Sequence, residues 1–403
     1  MPITYRTVFG YLGATQAQAS LGSTLQSTNS LQAAANLQMQ TLYNKFKLIK
    51  KAYATNNNKD KANSKTKSNK NVDAKRELGQ RDSLSAEARD SIRRAELKEK
   101  LQQLGYFGIR FLTCIKTVNA QYTQSWGNVL PGYMGRSRIV GLDPLNGWTP
   151  GPGYILGYNT DAVEHLRRQD LLTTDTLFNS AHQDNINNQF SLQATVEPLR
   201  DFKIDITMMQ NQSEREQYYY KCLSSDDLVE GPLSMTTTGN FTTTVMSLGT
   251  AFSNSNDLFN AFLQNRSVVA QRLSALNPDP SAHEMIRDSM SGIYYPSGYS
   301  GNSQTVLLTS FLSTYLGKDV SSASFSPFFK IPIPNWSINY NGLNKIPFIK
   351  KFFNNISISH KYTSTYTVGN YYTNAAIAGM PDYDYGNEYI RTSDTGDFIP
   401  PIS

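Results

Sequence analysis

The segment GLNKIPFIKKFFNNISISHKYTSTYTVGNYY, residues 342–372, carries the strongest structural signal in this sequence. Its second half alternates between two chemical classes, and a period of two puts successive side chains on opposite faces of a β-strand. One face carries Ile356, Ile358, Tyr362, Tyr366 and Val368, interrupted by His360 and Ser364, and the other carries Ser357, Ser359, Lys361, Thr363, Thr365 and Thr367. Because a transmembrane strand needs about 9–11 residues, we expect one continuous strand across a bilayer. Its apolar face would meet lipid and its polar face would line a lumen.

A cationic segment, NKIPFIKK at residues 344–351, stands directly before this strand. Pro347 cannot donate a ladder hydrogen bond and therefore interrupts strand structure. We interpret the segment as a membrane-interface anchor, since lysines favour headgroups and aromatic rings favour the interface. The anchor residues are Lys345, Phe348, Lys350, Lys351 and Phe352. A weaker copy, LYNKFKLIKK, occupies residues 42–51. An ordinary cationic loop in a soluble sheet is the alternative interpretation of this pattern.

The clearest hairpin in the sequence covers residues 190–209. Phe190, Leu192, Ala194 and Val196 alternate with Ser191, Gln193, Thr195 and Glu197, and a turn follows at residues 198–201. The second strand is predicted to direct Phe202, Ile204 and Ile206 to lipid, and Lys203, Asp205 and Thr207 to the lumen. Long amphipathic strands joined by a very short turn are typical of outer-membrane barrels.

The rest of the chain divides by composition and period. We expect barrel strands and a basic turn at 1–51, a flexible basic run plus an amphipathic helix at 52–105, and barrel strands at 106–252 with a long loop at 125–186. A partly helical insert follows at 253–334, then barrel strands at 335–374 and a loop at 375–403. Strands are predicted at 3–12, 31–41, 107–124, 187–197, 202–218, 235–252 and 335–342, and helices at 256–273 and 303–319. Five of these strands separate the two cationic segments, which would place the segments at opposite edges of the barrel. If both segments mark the same edge instead, one strand too many or too few is predicted, and residues 253–334 are where we expect the discrepancy.

Composition and charge disfavour several classes of protein. The 403 residues are only 17% charged yet contain 24 tyrosines and 19 phenylalanines, and the net charge of +6 is concentrated in residues 45–81. The low-complexity part of that run, NNNKDKANSKTKSNKN at residues 56–71, lacks interleaved aromatic residues, so we do not expect nucleic acid as a partner. No apolar run reaches the length of a membrane helix. The start, MPITYRTVFGYLG, lacks a signal-peptide core and already alternates, so we expect a fragment of a longer protein.

No residue pattern predicts catalysis or metal binding. The four histidines, His165, His182, His283 and His360, have no zinc-like spacing. The pentapeptide GYSGN at 298–302 does not fit the GxSxG nucleophile motif. Cys114 and Cys222 could form a disulfide, although two unpaired small apolar side chains are the favoured alternative. We therefore expect no enzymatic activity, no metal and no cofactor.

An ordered set of motifs carries a family resemblance. LPGYMG (130–135), PLRDFKIDIT (198–207), NRSVVAQRL (265–273) and YPSGYSGNSQTVLLTSFLSTYLGKD (295–319) precede KIPIPNWSINYNGLNKIPFIKKFFNNISISHKYTSTYTVGNY (330–371). Together they resemble the SprA/Sov family, the outer-membrane translocon of the type IX secretion system. The resemblance spans nearly the whole chain and is densest over residues 187–371. It places the chain in the C-terminal half of a much longer family member.

The resemblance implies a fold and a set of partners. The fold would be mainly β: part of a very large transmembrane antiparallel β-barrel with long loops and a few short helices. The function would be export of folded client proteins across the outer membrane, without covalent chemistry. The implied partners are the remainder of the translocon chain, a PorV-like outer-membrane barrel, a periplasmic plug protein, secreted client proteins and outer-membrane lipid.

Two other functions remain open at this point. A soluble β-rich cell-surface adhesin would explain the Ser, Thr and Asn content, although not the strand length. An outer-membrane barrel that imports nutrients would share the membrane pattern. The surroundings of the apolar face distinguish these functions. A membrane barrel exposes that face to lipid, whereas a soluble protein buries it in a packed core.

Overall fold

The computed structural model describes residues 2–46, 113–158, 162–199, 201–220, 233–289, 291–377, 380 and 383–403. The predicted basic run and amphipathic helix at 52–105 lie outside the described residues, as do the first residues of the strand predicted at 107–124. Cys222 also lies outside them, while Cys114 is a free, half-buried cysteine. The predicted disulfide alternatives therefore stay predictions.

The described part of the chain is mainly β, as predicted, and is built on one large antiparallel sheet. Its strands are β1 Ile3–Leu12, β2 Ser23–Gln38, β3 Ile115–Tyr133, β4 His182–Leu199, β5 Phe202–Tyr219, β6 Leu233–Thr244, β7 Met285–Arg287, β8 Tyr294–Pro296, β9 Asn335–Tyr340, β10 Ile358–Tyr362 and β11 Thr365–Tyr372. Its α-helices are α1 Met39–Tyr43, α2 Pro152–Ile155, α3 Val163–Arg167, α4 Ser255–Leu276, α5 Gln304–Tyr315 and α6 Pro347–Phe352. Strands β7 and β8 form a separate small hairpin.

Strands β1 to β5 pair in chain order, and each pair is antiparallel. The β4–β5 hairpin is the tightest connection: Leu199 pairs with Phe202, so only two residues form the turn. Asp201 in that turn has a φ of 61°, the left-handed conformation that two-residue hairpin turns require. The sequence prediction of a long hairpin with a very short turn is confirmed.

On its other side, β5 pairs with two shorter strands, which together cross the sheet once. Strand β9 pairs with residues 202–207 of β5, and β6 pairs with residues 210–219. The two strands lie end to end, and residues 245–334, which we call the insert, leave the sheet between them. The next crossing is divided in the same way: β10 pairs with β9 and β11 pairs with β6. The prediction of one continuous strand from residue 356 onward is therefore wrong. The strand breaks at residues 363–364, beside the gap between β6 and β9 from which the insert leaves the sheet.

This division corrects the predicted number of crossings. We call the end of the sheet that holds the β4–β5 turn the basal edge, and the opposite end the distal edge. Four crossings, not five, separate the two cationic segments, because β6 and β9 together cross the sheet once. Helix α6 follows the basal end of β9, and α1 follows the basal end of β2. Both segments therefore begin at the same edge.

Several predicted boundaries also differ from the structure. Strand β2 begins at Ser23 rather than residue 31, and β6 ends at Thr244 rather than residue 252. Strand β3 continues to Tyr133, through residues that were predicted to open the loop at 125–186. Gly127 suggested a loop there, but a Cβ at this position would collide with the Ser27 carbonyl oxygen. The glycine permits close approach of two strands instead of ending one.

Buried apolar side chains form two large clusters within the described residues. The first cluster lies under the β3–β4 connection, where Leu25, Leu130 and Tyr133 pack against Tyr154 and Leu166. The second lies inside the insert and contains Val269, Leu273, Tyr295, Tyr299 and Val306, together with Phe398 from the C-terminal segment. Neither cluster includes the basal half of the sheet.

Candidate functional site: a sheet with one apolar and one polar face

The ladder registers allow each face of the sheet to be followed from strand to strand, because directly paired residues point to the same side. Ile206, for example, pairs with Ala194 of β4 and with Trp336 of β9, and Trp336 pairs with Tyr362 of β10. We call this side the apolar face and the opposite side the polar face.

The basal half of the apolar face is a band of apolar side chains, interrupted by His360 where β10 pairs with Ile338, and we call it the apolar band. Its members are Ile3, Leu31, Ala33, Ala35, Leu37, Val118, Ala120, Tyr122, Phe190, Leu192, Ala194, Val196, Phe202, Ile204, Ile206, Met208, Trp336, Ile338, Tyr340 and Ile358. Along β5 the band covers residues 202–208, which corresponds to about 20 Å of strand. Barrel strands tilt by about 35–45°, so this length rises about 15 Å along the membrane normal, which is part of the band of about 25 Å that outer-membrane barrels present to lipid.

Aromatic pairs mark the two margins of the apolar band in β9 and its neighbours. At the basal margin the rings of Phe202 and Tyr340 meet edge to face, with centroids 5.8 Å apart. At the upper margin, nearer the distal edge, Trp336 stacks on Tyr362 at 4.6 Å. Aromatic side chains therefore border the apolar band at both margins in this part of the sheet.

The apolar band is not a packed core. Ile3 is 67% exposed, and Leu37 and Ile358 are each 52% exposed. None of the fully buried apolar side chains of the described residues belongs to the band. A surface of this extent costs about 25 cal/mol per Å² of apolar area left in water, and large apolar patches mark surfaces that meet a partner or a membrane.

Amides and hydroxyls dominate the polar face along the same strands, with Met209 and Val8 as exposed apolar exceptions. It includes Thr28, Ser30, Gln32, Asn36, Thr117, Asn119, Gln121, Thr123, Asn187, Gln189, Ser191, Gln193, Thr195, Lys203, Asp205, Thr207, Asn211, Ser213, Arg215, Thr238, Asn240, Thr242, Ser337, Asn339, Ser359, Lys361, Thr365 and Thr367. Its charges are partly paired: the Lys203 ammonium lies 2.9 Å from the Asp205 carboxylate, and the Thr195 hydroxyl donates to that carboxylate at 2.8 Å. This chemistry suits contact with water.

Most of the predicted site residues are placed on strands as their alternation requires. Lys203, Asp205, Thr207, Ser359, Lys361, Thr365 and Thr367 share the polar face, and Phe202, Ile204, Ile206, Ile358, Tyr362, Tyr366 and Val368 share the apolar face. Ile356, Ser357 and Thr363 are exceptions, because they lie outside the strands. The backbone N–H of Ile356 donates to the Asn344 side chain instead of a ladder (2.6 Å).

The surroundings of Tyr362 and Tyr366 differ from the prediction that lipid covers them. The Tyr362 hydroxyl accepts a hydrogen bond from the Ser247 backbone N–H (2.7 Å). The Tyr366 ring packs against Phe329 of the insert, with centroids 5.3 Å apart. The insert therefore covers the apolar face from the upper margin of the apolar band toward the distal edge.

The distal half of the apolar face carries both polar and apolar side chains, and loops cover it. Tyr154 of α2 donates to the Asn128 side chain at 2.5 Å, and the Trp126 indole N–H donates to the Gly157 carbonyl at 3.0 Å. The loop is itself held by Asp143, which is fully buried. Burial opposes ionisation of this carboxyl, but hydrogen bonds from its neighbours, together with Arg138 at 3.2 Å, lower its pKa overall. This region is a packed protein interior.

The C-terminal segment is fastened to the insert by a buried polar cluster that the sequence did not indicate. The Tyr299 hydroxyl donates to the Glu388 carboxylate at 2.8 Å, and the Asn277 side chain donates to the Tyr299 oxygen at 2.7 Å. Burial raises the pKa of Glu388 above its ordinary value. Ser300 of the GYSGN motif binds the Asp397 carboxylate through its hydroxyl and its backbone N–H, so this serine has a structural role.

The predicted anchor forms α6 at the basal edge. Phe348 and Phe352 are 71% and 70% exposed and pack edge to face on each other at 5.3 Å. Lys345 pairs with Asp201 of the β4–β5 turn, which fixes the segment beside the hairpin. Exposed aromatic rings and lysines therefore lie together at one edge, next to the apolar band.

Other kinds of site are scarce in the ranges that the structure describes. No group of three or more His, Cys, Asp or Glu side chains there could hold a metal ion. No described helix has both the length and the apolar character needed to cross a bilayer. No known family model matches this chain, and no curated protein matches it. The two opposite faces of the sheet are therefore the feature on which a function can be argued.

Proposed function

We propose that this chain forms part of the wall of a very large outer-membrane β-barrel that exports folded client proteins, as the resemblance to the SprA/Sov translocon implies. The observation that carries the proposal is the uncovered apolar band, which lies directly behind a continuous polar face. A single sheet with lipid on one side and water on the other needs this chemistry. In a soluble sandwich the apolar side would instead be packed against a second layer.

The strands suit a barrel wall in a second respect. Inside a bilayer every backbone N–H and C=O group must be paired within the protein, so a spanning sheet must close on itself. Strand β1 lies at one side of the described sheet, and β10 and β11 lie at the other. We propose that further strands of the same translocon chain pair with both sides and complete the barrel.

The polar face suits a passive conduit. Neutral amides and hydroxyls dominate it, and the few charges include the Lys203–Asp205 pair. Such a surface stays hydrated and offers little apolar area to which a passing folded protein could adhere. Export then needs no catalytic group in this wall. The PorV-like barrel and the periplasmic plug protein are proposed partners on the strength of the resemblance alone.

The proposal is tested by placing one arginine on each face of β5. Ile204→Arg puts a charge in the apolar band and should cost about 2–4 kcal/mol of stability in the membrane, as charges do on the lipid face of a barrel. Thr207→Arg, three residues away on the polar face, is the matched control and should assemble normally. Assembly is measured as the amount of heat-modifiable, protease-resistant protein in the outer membrane.

Equal assembly of the two variants would contradict the proposal. Extraction gives an independent measurement: a barrel wall is released from membranes only by detergent. A soluble adhesin would be released by buffer or alkaline carbonate, and that result would favour the adhesin function over the translocon.

A further inference from the structure

The insert leaves the sheet and returns to it on the apolar face. At its start, the Ser247 hydroxyl lies 3.1 Å from the Ser364 hydroxyl. At its end, the Phe329 carbonyl accepts a hydrogen bond from the Gln210 side chain at 2.9 Å, and Phe328 packs against Phe241. The insert is therefore on the same side of the sheet as the apolar band, directly beyond the upper margin of that band.

Helix α5 of the insert runs from the distal edge toward the apolar band. Its first residue, Gln304, donates to the carbonyl of Ile402 at 3.0 Å, and Ile402 is bridged to the residue that follows β11. Beyond its other end, the Lys318 ammonium lies 4.7 Å from the centroid of the Phe329 ring, at the margin of the band. The C-terminal turn of α5 is thus the end nearest the band.

Helix α5 buries Val306 and Leu312 together with small polar side chains. The exposed side of its C-terminal end, however, lacks the polar residues that a helix on the surface of a soluble protein presents to water. Thr309, Ser310 and Ser313 are buried. Phe311 and Tyr315 are 52% and 48% exposed, and their rings stack with centroids 5.7 Å apart. The exposed side of this helix end is consequently aromatic.

Neighbouring segments add further exposed apolar side chains at the same end. The Thr250 hydroxyl donates to the Tyr315 carbonyl at 2.5 Å, which brings Phe252, 91% exposed, beside the end of α5. Phe259 on the second turn of α4 and Ile331 on the returning segment are also exposed. We call the set Phe252, Phe259, Phe311, Tyr315 and Ile331 the aromatic tip. Lys318 and Lys330 are exposed beside it.

We propose that the aromatic tip is a lipid-binding surface, which inserts into the headgroup region of the leaflet that meets the upper margin of the apolar band. This inference rests on the proposed barrel function. It is carried by the position of the tip beside the band and by its chemistry, since aromatic rings flanked by lysines are favoured at membrane interfaces. The insert would then contact the membrane surface outside the barrel wall.

The test measures lipid contact at single labelled positions. Phe252→Cys and Phe311→Cys are made separately in the full-length protein, in which Cys114 and Cys222 are replaced by serine. Each variant is labelled with a bimane fluorophore and reconstituted into lipid vesicles. The vesicles contain phosphatidylglycerol and phosphatidylcholine brominated near the carbonyl end of the acyl chains. Ile204→Cys in the apolar band is the positive control. Thr207→Cys on the polar face and Ala275→Cys, exposed at the far end of α4, are the negative controls.

We expect the bromolipid to quench the labels at 252 and 311 to an extent comparable with 204, while 207 and 275 keep their fluorescence. Quenching at 204 without quenching at 252 and 311 would overturn the lipid-binding inference and leave the barrel proposal standing. If aqueous iodide also failed to reach those two labels, a protein partner would be the occupant instead. Absence of quenching at 204 would overturn the barrel proposal itself, and the inference with it.

Discussion

The basal and distal halves of the apolar face are built by the same strands but meet different surroundings. On β5, residues 202–208 are Phe202, Lys203, Ile204, Asp205, Ile206, Thr207 and Met208, and their even-numbered members are apolar and partly exposed. Further along the same face come Gln210, Gln212, Glu214 and Glu216. Loops and the insert cover this polar part, while the apolar part has no protein cover in the structure that is described.

Strand periodicity therefore does not determine what surrounds a strand. A period of two persists over the 18 residues of β5, because it follows from backbone geometry alone. The side chains on the apolar face of β5 change from apolar to polar at Gln210. From that residue onward, loops and the insert cover the face.

Truncating one leucine in each half should separate a packed interior from a lipid-facing surface. Leu130→Ala empties space in the distal cluster, where Leu130 is completely buried, and should lower the free energy of unfolding by about 2–5 kcal/mol. Leu192→Ala in the apolar band should cost clearly less, because lipid or detergent can fill the space. Thermal unfolding in detergent measures both. Equal losses would mean that the band is also a packed core.

A glycine-to-alanine pair should show how tightly the covered half is packed. A Cβ at Gly239 would lie 2.6 Å from the Ser213 carbonyl oxygen and would also collide with the Tyr371 ring, whereas no atom lies within 4 Å of a Cβ at Gly369. Gly239→Ala should destabilise by about 1–3 kcal/mol through overpacking, and Gly369→Ala should change stability little. Denaturant midpoints measured in the same detergent compare the two. A tolerated Gly239→Ala would show that this half is loosely packed.

The smallest effect is expected on the polar face. Lys203→Ala removes the ion pair with Asp205, and an exposed pair in water contributes only about 0–1 kcal/mol. The loss should decrease further with added salt, because salt screens exposed charges. Unfolding at low and high salt provides the measurement. A loss of several kcal/mol that salt does not change would mean that the polar face is dry, which would contradict a water-filled lumen.

The sequence predicted the strands best where one face is uniform. The β4–β5 hairpin was predicted from alternation around a short turn at residues 198–201, although β4 continues to Leu199 and the turn is shorter than predicted. The faces of Ile204 and Thr207 were predicted in advance. Strand β3 was cut short because Gly127 and Pro131 indicated a loop, although Gly127 serves close strand contact. Local residue types could not distinguish these two uses of glycine.

The remaining features depend on contacts between distant parts of the chain. Nothing in the sequence near Thr244 and Asn335 indicates that these residues meet as two halves of one crossing. The buried cluster of Asn277, Tyr299 and Glu388 joins residues about one hundred positions apart, and each is an ordinary polar residue when seen alone. Periodicity reports on neighbours along a strand, so it carried no information about either arrangement.

The divided crossing has a consequence for the order in which the protein folds. Strand β9 can lie in line with β6 only after ninety intervening residues, 245–334, have brought their ends together. Closing so long a segment is entropically costly and slow unless the segment collapses on its own core first. The insert would therefore organise early around Val269 and Val306, and β9, β10 and β11 would join the ladder last.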